Sequence, residues 1–172
     1  MSLRSLIVVP DQNEFWKHRE KLLKSKNPLC RKYHSLMCQR ILYKNNASIE
    51  TQTKIKGRIT FPHGLNGILI SAGAEIGENC TVFHQVTIGS NTAKGSKHNG
   101  SPKILDNVYI GAGAKIIGGI TVGNNVRIGA NCVVTEDVPD NATVVLSKPR
   151  TILHEDVRDN TFTSFANYSE DK

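Results

Sequence analysis

ILDNVYIGAGAKIIGGITVGNNVRIGANCVV, residues 104–134, decides how the chain folds. Counting in sixes from Ile104 lands on Ile110, Ile116, Val122, Ile128 and Val134 without a slip. Gly follows at Gly111, Gly123 and Gly129, and the fifth place of each hexad is small or β-branched: Val108, Ala114, Ile120, Val126, Cys132. Counting back from Ile88 gives Val82, Ile76 and Ile70, with Val86, Cys80 and Ala74 in fifth place. A helix cannot hold period six against one core, and a single strand alternates every two residues. A three-sided coil can. Each hexad then supplies one short strand and a turn, and three hexads make one turn of a parallel β-helix. First and fifth residues are expected inside, with Gly or Asn at corners of unusual φ.

Outward from this stretch, Ile49, Ile55 and Phe61 keep the count, which then slips by about three residues over Pro62, His63, Gly64, Leu65 and Asn66. Between Ile88 and Ile104 the gap of sixteen contains ten extra residues, within SNTAKGSKHNGSPK. Long insertions in repeat arrays usually carry function on one face, so residues 89–103 are read as an inserted functional loop. The coil is expected to end at residues 137–141, followed by an extended piece, ATVVLSKPRTI. The whole solenoid spans 48–153, and 154–172 is a polar tail.

Residues 1–47 read as a helical segment. An extended arm occupies 3–9, and Asp11 with Glu14 forms a capping box for a helix over about 12–26. That helix carries Phe15, Trp16, Leu22 and Leu23 on one face. Asn27-Pro28 starts a second helix presenting Leu29, Tyr33, Leu36, Met37 and Ile41. The pair is expected to cap an open end of the β-helix, which would otherwise expose a sheet edge.

The chain has 172 residues and net charge +7. Residues 1–47 hold ten Lys/Arg against three acids, so the excess is wholly N-terminal. A basic patch can meet nucleic acid, a lipid surface or a phosphorylated carrier, but it reads first as a solvated helix face. No nucleic-acid partner is expected. No apolar run approaches the ~20 residues that cross a bilayer, and the N-terminus carries no signal-peptide pattern. Cys30, Cys38, Cys80 and Cys132 lack metal spacing, and the last two fall at interior fifth places. These features point to a reduced, cytoplasmic protein, with the inner membrane face as the place a basic segment could reach.

The repeat also places chemistry. His63 and His84 are each third in their hexads, and their separation of 21 is one coil plus the three-residue slip. They should stack on one edge about 4.8 Å apart. Ala112 and Ala130 continue that column, and their small side chains leave room for a long thin ligand. His18, His34 and His154 are expected at the surface.

IGAGAKIIGGITVGNNVRIGANCVVTEDVP resembles the end of the hexapeptide-repeat acyltransferases. PHGLNGILISAGAEIGENCTVFHQVTIG, followed by a Gly/Ser/Lys/His loop and PKI, narrows the likeness to the serine O-acetyltransferase-like branch, which includes sugar O-acetyltransferases of surface polysaccharides. The resemblance implies an all-β solenoid, a left-handed parallel β-helix of hexapeptide repeats with a short N-terminal α-helical cap. It implies a homotrimer with active sites between neighbouring prisms, and acetyl-CoA as co-substrate without a metal. His63 falls at the general base. Lys97 and His98 would meet the acceptor, His98 from a loop expected to be flexible, and His84, stacked on His63, would either meet the acceptor or shape the pocket as a neighbour. The pantetheine arm would run along Gly111, Ala112, Gly129 and Ala130, bonding their amides. Thr135, Lys148 and Arg150 would meet the nucleotide end.

Departures shape the expected acceptor. Serine-type enzymes keep a carboxylate fifteen residues before this His and another directly before it; here those places hold Ser48 and Pro62, with Glu50 the nearest acid. Their loop Arg-His becomes Lys97-His98, and their large helical domain shrinks to about 45 residues. A sugar hydroxyl in surface-polysaccharide synthesis is therefore the first expectation. Serine O-acetylation in cysteine biosynthesis is the second, with the terminal Glu-Asp-Lys counting against the usual C-terminal Ile of that enzyme. A non-catalytic or metal-binding β-helix, held by the stacked histidines, is the third.

Overall fold

In the computed structural model, which describes residues 12–161, two helices, α1 (Gln12–Lys24) and α2 (Pro28–Lys44), lead into thirteen short strands. The strands form three parallel sheets, one per face of a triangular prism. The first face holds β1 (Ser48–Ile49), β3 (Leu69–Ile70), β6 (Thr87–Gly89), β9 (Lys115–Ile117) and β12 (Val133–Val134). The second holds β2 (Lys54–Ile55), β4 (Glu75–Ile76), β7 (Lys103–Ile104) and β10 (Thr121–Val122). The third holds β5 (Thr81–Val82), β8 (Tyr109–Ile110), β11 (Arg127–Ile128) and β13 (Thr143–Val144).

The period-six reading holds at the core. Ile70, Ile76, Val82, Ile88, Ile104, Ile110, Ile116, Val122 and Ile128 are buried, as are the fifth-place Ala74, Cys80, Val86, Val108, Ala114, Ile120, Val126 and Cys132. Asn79, Asn107, Asn125, Asn131 and Asn141 take positive φ at the corners, where Asn tolerates the left-handed region. Four of them also join side chain to side chain from coil to coil, Asn79 to Asn107 (2.8 Å), Asn107 to Asn125 (2.8 Å) and Asn125 to Asn141 (2.9 Å). The second-place glycines have a different cause from the one expected. Gly111 lacks positive φ, and a Cβ there would lie 2.7 Å from the Ala130 amide nitrogen, so it is small because the next coil's backbone passes close by.

Register pairs show the two interruptions directly. Ser48 pairs Leu69 and Lys54 pairs Glu75, which carries the three-residue slip, while Glu75 pairs Lys103 across the ten-residue excursion. The coil does not end at residues 137–141. Val138 bridges Val122 and β13 pairs β11, so a last, shortened turn continues through Val144. This turn buries Val138 and half-buries Val144, while Val145 and Leu146 stay exposed.

The helices cap the first coil, α1 with the expected face apart from Leu23 and α2 with a different one. Phe15, Trp16 and Leu22 are buried, and Trp16 stacks on Phe61 at 6.1 Å between ring centroids; Leu23 is exposed. Arg19 is buried and donates to the carbonyls of Thr53 (2.6 Å) and Glu50 (3.3 Å), which pins α1 to the prism. Asn27 caps α2 as expected, accepting from the Leu29 and Cys30 amides. α2 is rotated relative to the reading: His34, Cys38, Ile41 and Leu42 face inward, while Leu29 (78%), Tyr33 (56%) and Leu36 (62%) face out. Two stripes on this helix share helical spacing, and docking of Ile41 and Leu42 onto the coil selects the less greasy one. His34 is thus buried rather than superficial, with Nδ1 2.7 Å from His18 Nδ1. The expected arm over 3–9 and the Asp11 half of the capping box lie outside the described residues.

Candidate functional site

The edge between the third and first faces carries the histidine column. His63 and His84 stack across one coil, with ring centroids 4.9 Å apart and Nδ1 to Nδ1 at 2.8 Å. His63 stands on the slipped turn, which Asn66 closes by donating to the His63 carbonyl (2.9 Å). Phe83 meets the His63 ring edge-on at 5.1 Å and touches Tyr109 at 5.1 Å in turn. His63 is exposed and His84 half-buried. Phe83 was missed in the sequence, although its place beside the buried Val82 marks it as facing outward next to the edge.

Below the histidines the backbone is unusual. At the matching third place on the neighbouring edge, the amides are capped by side chains: Glu78 by Asp106 (2.8 Å), Asp106 by Asn124 (3.2 Å), Asn124 by Asp140 (2.6 Å). On the histidine edge the amides of His84, Ala112 and Ala130 find no acceptor among the described residues. A methyl group cannot cap the amide above it, so a strip of unpaired donors repeats about every 4.8 Å. The amides of Gly111 and Gly129 do not join it. They donate to the carbonyls of Ile128 and Val144, both at 2.8 Å, in the ladder between coils, which corrects the expectation that all four amides are available.

Lys97 and His98 occupy a different edge, between the first and second faces. The excursion is pinned rather than free: Asn91 and Gly100 exchange backbone hydrogen bonds at 2.8 Å, and Gly119 donates to the His98 carbonyl at 2.9 Å. Lys97 Nζ pairs with Glu136 Oε2 at 3.3 Å, and His98 Nε2 is 3.6 Å from that oxygen, too far for a hydrogen bond. Glu136 and the Gly118-Gly119 platform were missed. Glu136 is third in its hexad, like the histidines, and that position was the available signal. Within one chain the structure therefore joins His63, His84, Ala112 and Ala130, and separates them from Lys97 and His98. Thr135, Lys148 and Arg150 are exposed, the latter two beyond β13. No three potential metal-ligating side chains converge among the described residues.

Residues 101–136 match the family model described as bacterial transferase hexapeptide (six repeats). The chain is 42% identical over 98 residues to a serine acetyltransferase of Bacillus pumilus, covering 56% of this chain and 43% of that protein. A serine acetyltransferase of Helicobacter pylori is 42% identical over 105 residues, covering 60% and 59%. Among solved structures, serine acetyltransferase isoform 3 of Entamoeba histolytica, in complex with cysteine, superposes with TM-score 0.62 at 35% identity, covering 72% of this chain and 43% of that one. The Brucella abortus serine acetyltransferase in complex with coenzyme A gives TM-score 0.63 at 25% identity, covering 80% and 52%. The fold is thus the left-handed parallel β-helix of this group with short N-terminal helices. The chain spans about half the length of the curated relatives it matches.

Proposed function

We propose that this chain, a hexapeptide-repeat protein similar to the serine O-acetyltransferases, transfers an acetyl group from acetyl-CoA to a hydroxyl acceptor. The observation that carries this is the juxtaposition of two imidazoles with a strip of unpaired amides on one edge. An acceptor hydroxyl is barely ionised at neutral pH, so a base must take its proton during attack. His63 takes that proton as the oxygen bonds to the thioester carbonyl, and returns it to the CoA thiolate when the C–S bond breaks. The free amides of Ala112 and Ala130 hold the polar groups of the pantetheine arm, while Lys148 and Arg150 supply charge for phosphates.

The similar proteins favour L-serine as acceptor over the sugar expected from the sequence, so serine is the first reading. The sugar keeps one specific support. Among the described residues no carboxylate bonds either imidazole, and Ser48 and Pro62 stand where the serine-type acids are expected, so little there recognises an ammonium group. Because His63 and His98 lie on different edges, a complete site needs a second copy, and we propose a trimer whose clefts join one chain's histidine edge to its neighbour's loop. A cytoplasmic setting suits an acetyl-CoA donor and the free cysteines. No helix among the described residues is long and apolar enough to cross a membrane, and we assign the basic helices no membrane role.

Thiol release from acetyl-CoA across L-serine, sugars and nucleotide sugars tests the reading. Turnover with one acceptor should fall roughly 10²- to 10⁴-fold in His63→Ala. Serine-dependent turnover supports the first acceptor and sugar-dependent turnover the second. Absence of both turnover and acetyl-CoA binding would overturn the enzyme.

A further inference from the structure

We infer that His84 is the group that orients His63, taking the part a carboxylate would otherwise play; this rests on His63 acting as the base. Two Nδ1 atoms 2.8 Å apart hold one proton between them. With none, two lone pairs face each other; with two, two N–H groups collide. One ring therefore donates and the other accepts. If His63 donates, its Nε2 keeps the lone pair and can serve as base, while His84 is the Nε2–H tautomer accepting at Nδ1. The reverse arrangement places a proton on His63 Nε2 and removes the base.

The surroundings favour the first arrangement for chemistry. No carboxylate hydrogen-bonds either ring, so His84 Nδ1 is the one acceptor available to His63 Nδ1–H among the described residues. Phe83 packs edge-on against the His63 ring and limits its rotation, and the Gly113 amide fixes the His84 backbone by donating to its carbonyl at 3.0 Å. When His63 Nε2 gains the acceptor's proton, the new positive charge sits in a ring whose Nδ1–H points at a neutral imidazole. The bridging proton can shift to His84 Nδ1, so the pair holds one added proton shared between two rings. Return of the Nε2 proton to the thiolate restores the starting pair.

The experiment is nitrogen-15 NMR of histidine-labelled protein, with steady-state kinetics on wild type, His84→Asn and His84→Leu. Asn can place its Oδ1 near the position of His84 Nδ1 and keep the acceptor; Leu cannot. Wild type and His84→Asn should show His63 protonated at Nδ1 and unprotonated at Nε2, with a coupling or low-field signature of the bridging proton in wild type. His84→Leu should lose that state and lose roughly 10- to 100-fold in kcat with little change in KM, and Asn should recover most of it. The NMR readout stands even if the acceptor is misassigned. A His63 carrying its proton on Nε2 in wild type overturns the inference. So does His84→Leu with unchanged kcat, or His84→Asn as impaired as His84→Leu, which would make His84 a direct participant.

Discussion

Ala112 and Ala130 show how little a residue must do to make a site. The same backbone position carries Asp106 and Asn124 on the next edge, where each side chain caps the amide of the coil before it. Replacing either alanine by such a residue should convert one edge into the other. In Ala130→Asn the new side chain would accept from the Ala112 amide as Asn124 accepts from Asp106. We expect acetyl-CoA affinity, measured by calorimetry, to weaken roughly tenfold for the loss of one donor, with an unchanged or higher melting temperature. Unaltered affinity would remove the amide strip from the site. That alanines line the edge is legible in the sequence, because the count of six places them under the histidines. Which amides they leave unpaired is not, since Gly111 and Ala112 are adjacent and differ only in where the next coil's carbonyl lies.

Elements behave as units wherever two of them share a contact. The α1–α2 pair meets through His18 and His34, and the His18 pKa is lowered by burial first and by His34 second, with Lys21 and Lys17 acting in the same direction against Glu14. The unfolded chain therefore binds more protons than the folded one from about pH 6.5 downward, and stability falls as pH drops through that window. Melting temperatures followed from pH 7.5 to 5 should decline more steeply in wild type than in His18→Gln. The excursion is a second unit, and its landing place is Gly119, where an added Cβ would lie 2.5 Å from the Asn99 carbonyl oxygen. Gly119→Ala should cost about 1–3 kcal/mol and speed hydrogen exchange at the Gly119 and Gly100 amides, while the prism core stays protected. The existence of the loop follows from its ten surplus residues. Its attachment does not, because Gly119 and Glu136 are remote from it in the chain and adjacent to it only through the winding.

At the scale of the whole molecule, stability is a stack of nearest-neighbour contacts closed at one end by helices, and the candidate residues His63 and His98 lie on different edges. If clefts between copies join the histidine edge to a neighbour's loop, inactive His63→Ala chains and inactive Lys97→Ala/His98→Ala chains should complement when refolded together. Random mixing in a trimer would restore up to about a quarter of wild-type turnover. No recovery, with mixed assembly verified by mass, would place each site within one chain. The sequence by itself determined the prism, its core residues, its two interruptions and the stacking of His63 on His84, because a fixed period converts chain distance into height and edge. The tertiary structure alone decided which stripe of α2 is buried, which edge amides stay free and where Lys97 and His98 sit. Those depend on contacts between segments far apart in the chain, where several arrangements satisfy the local pattern and only mutual packing selects one.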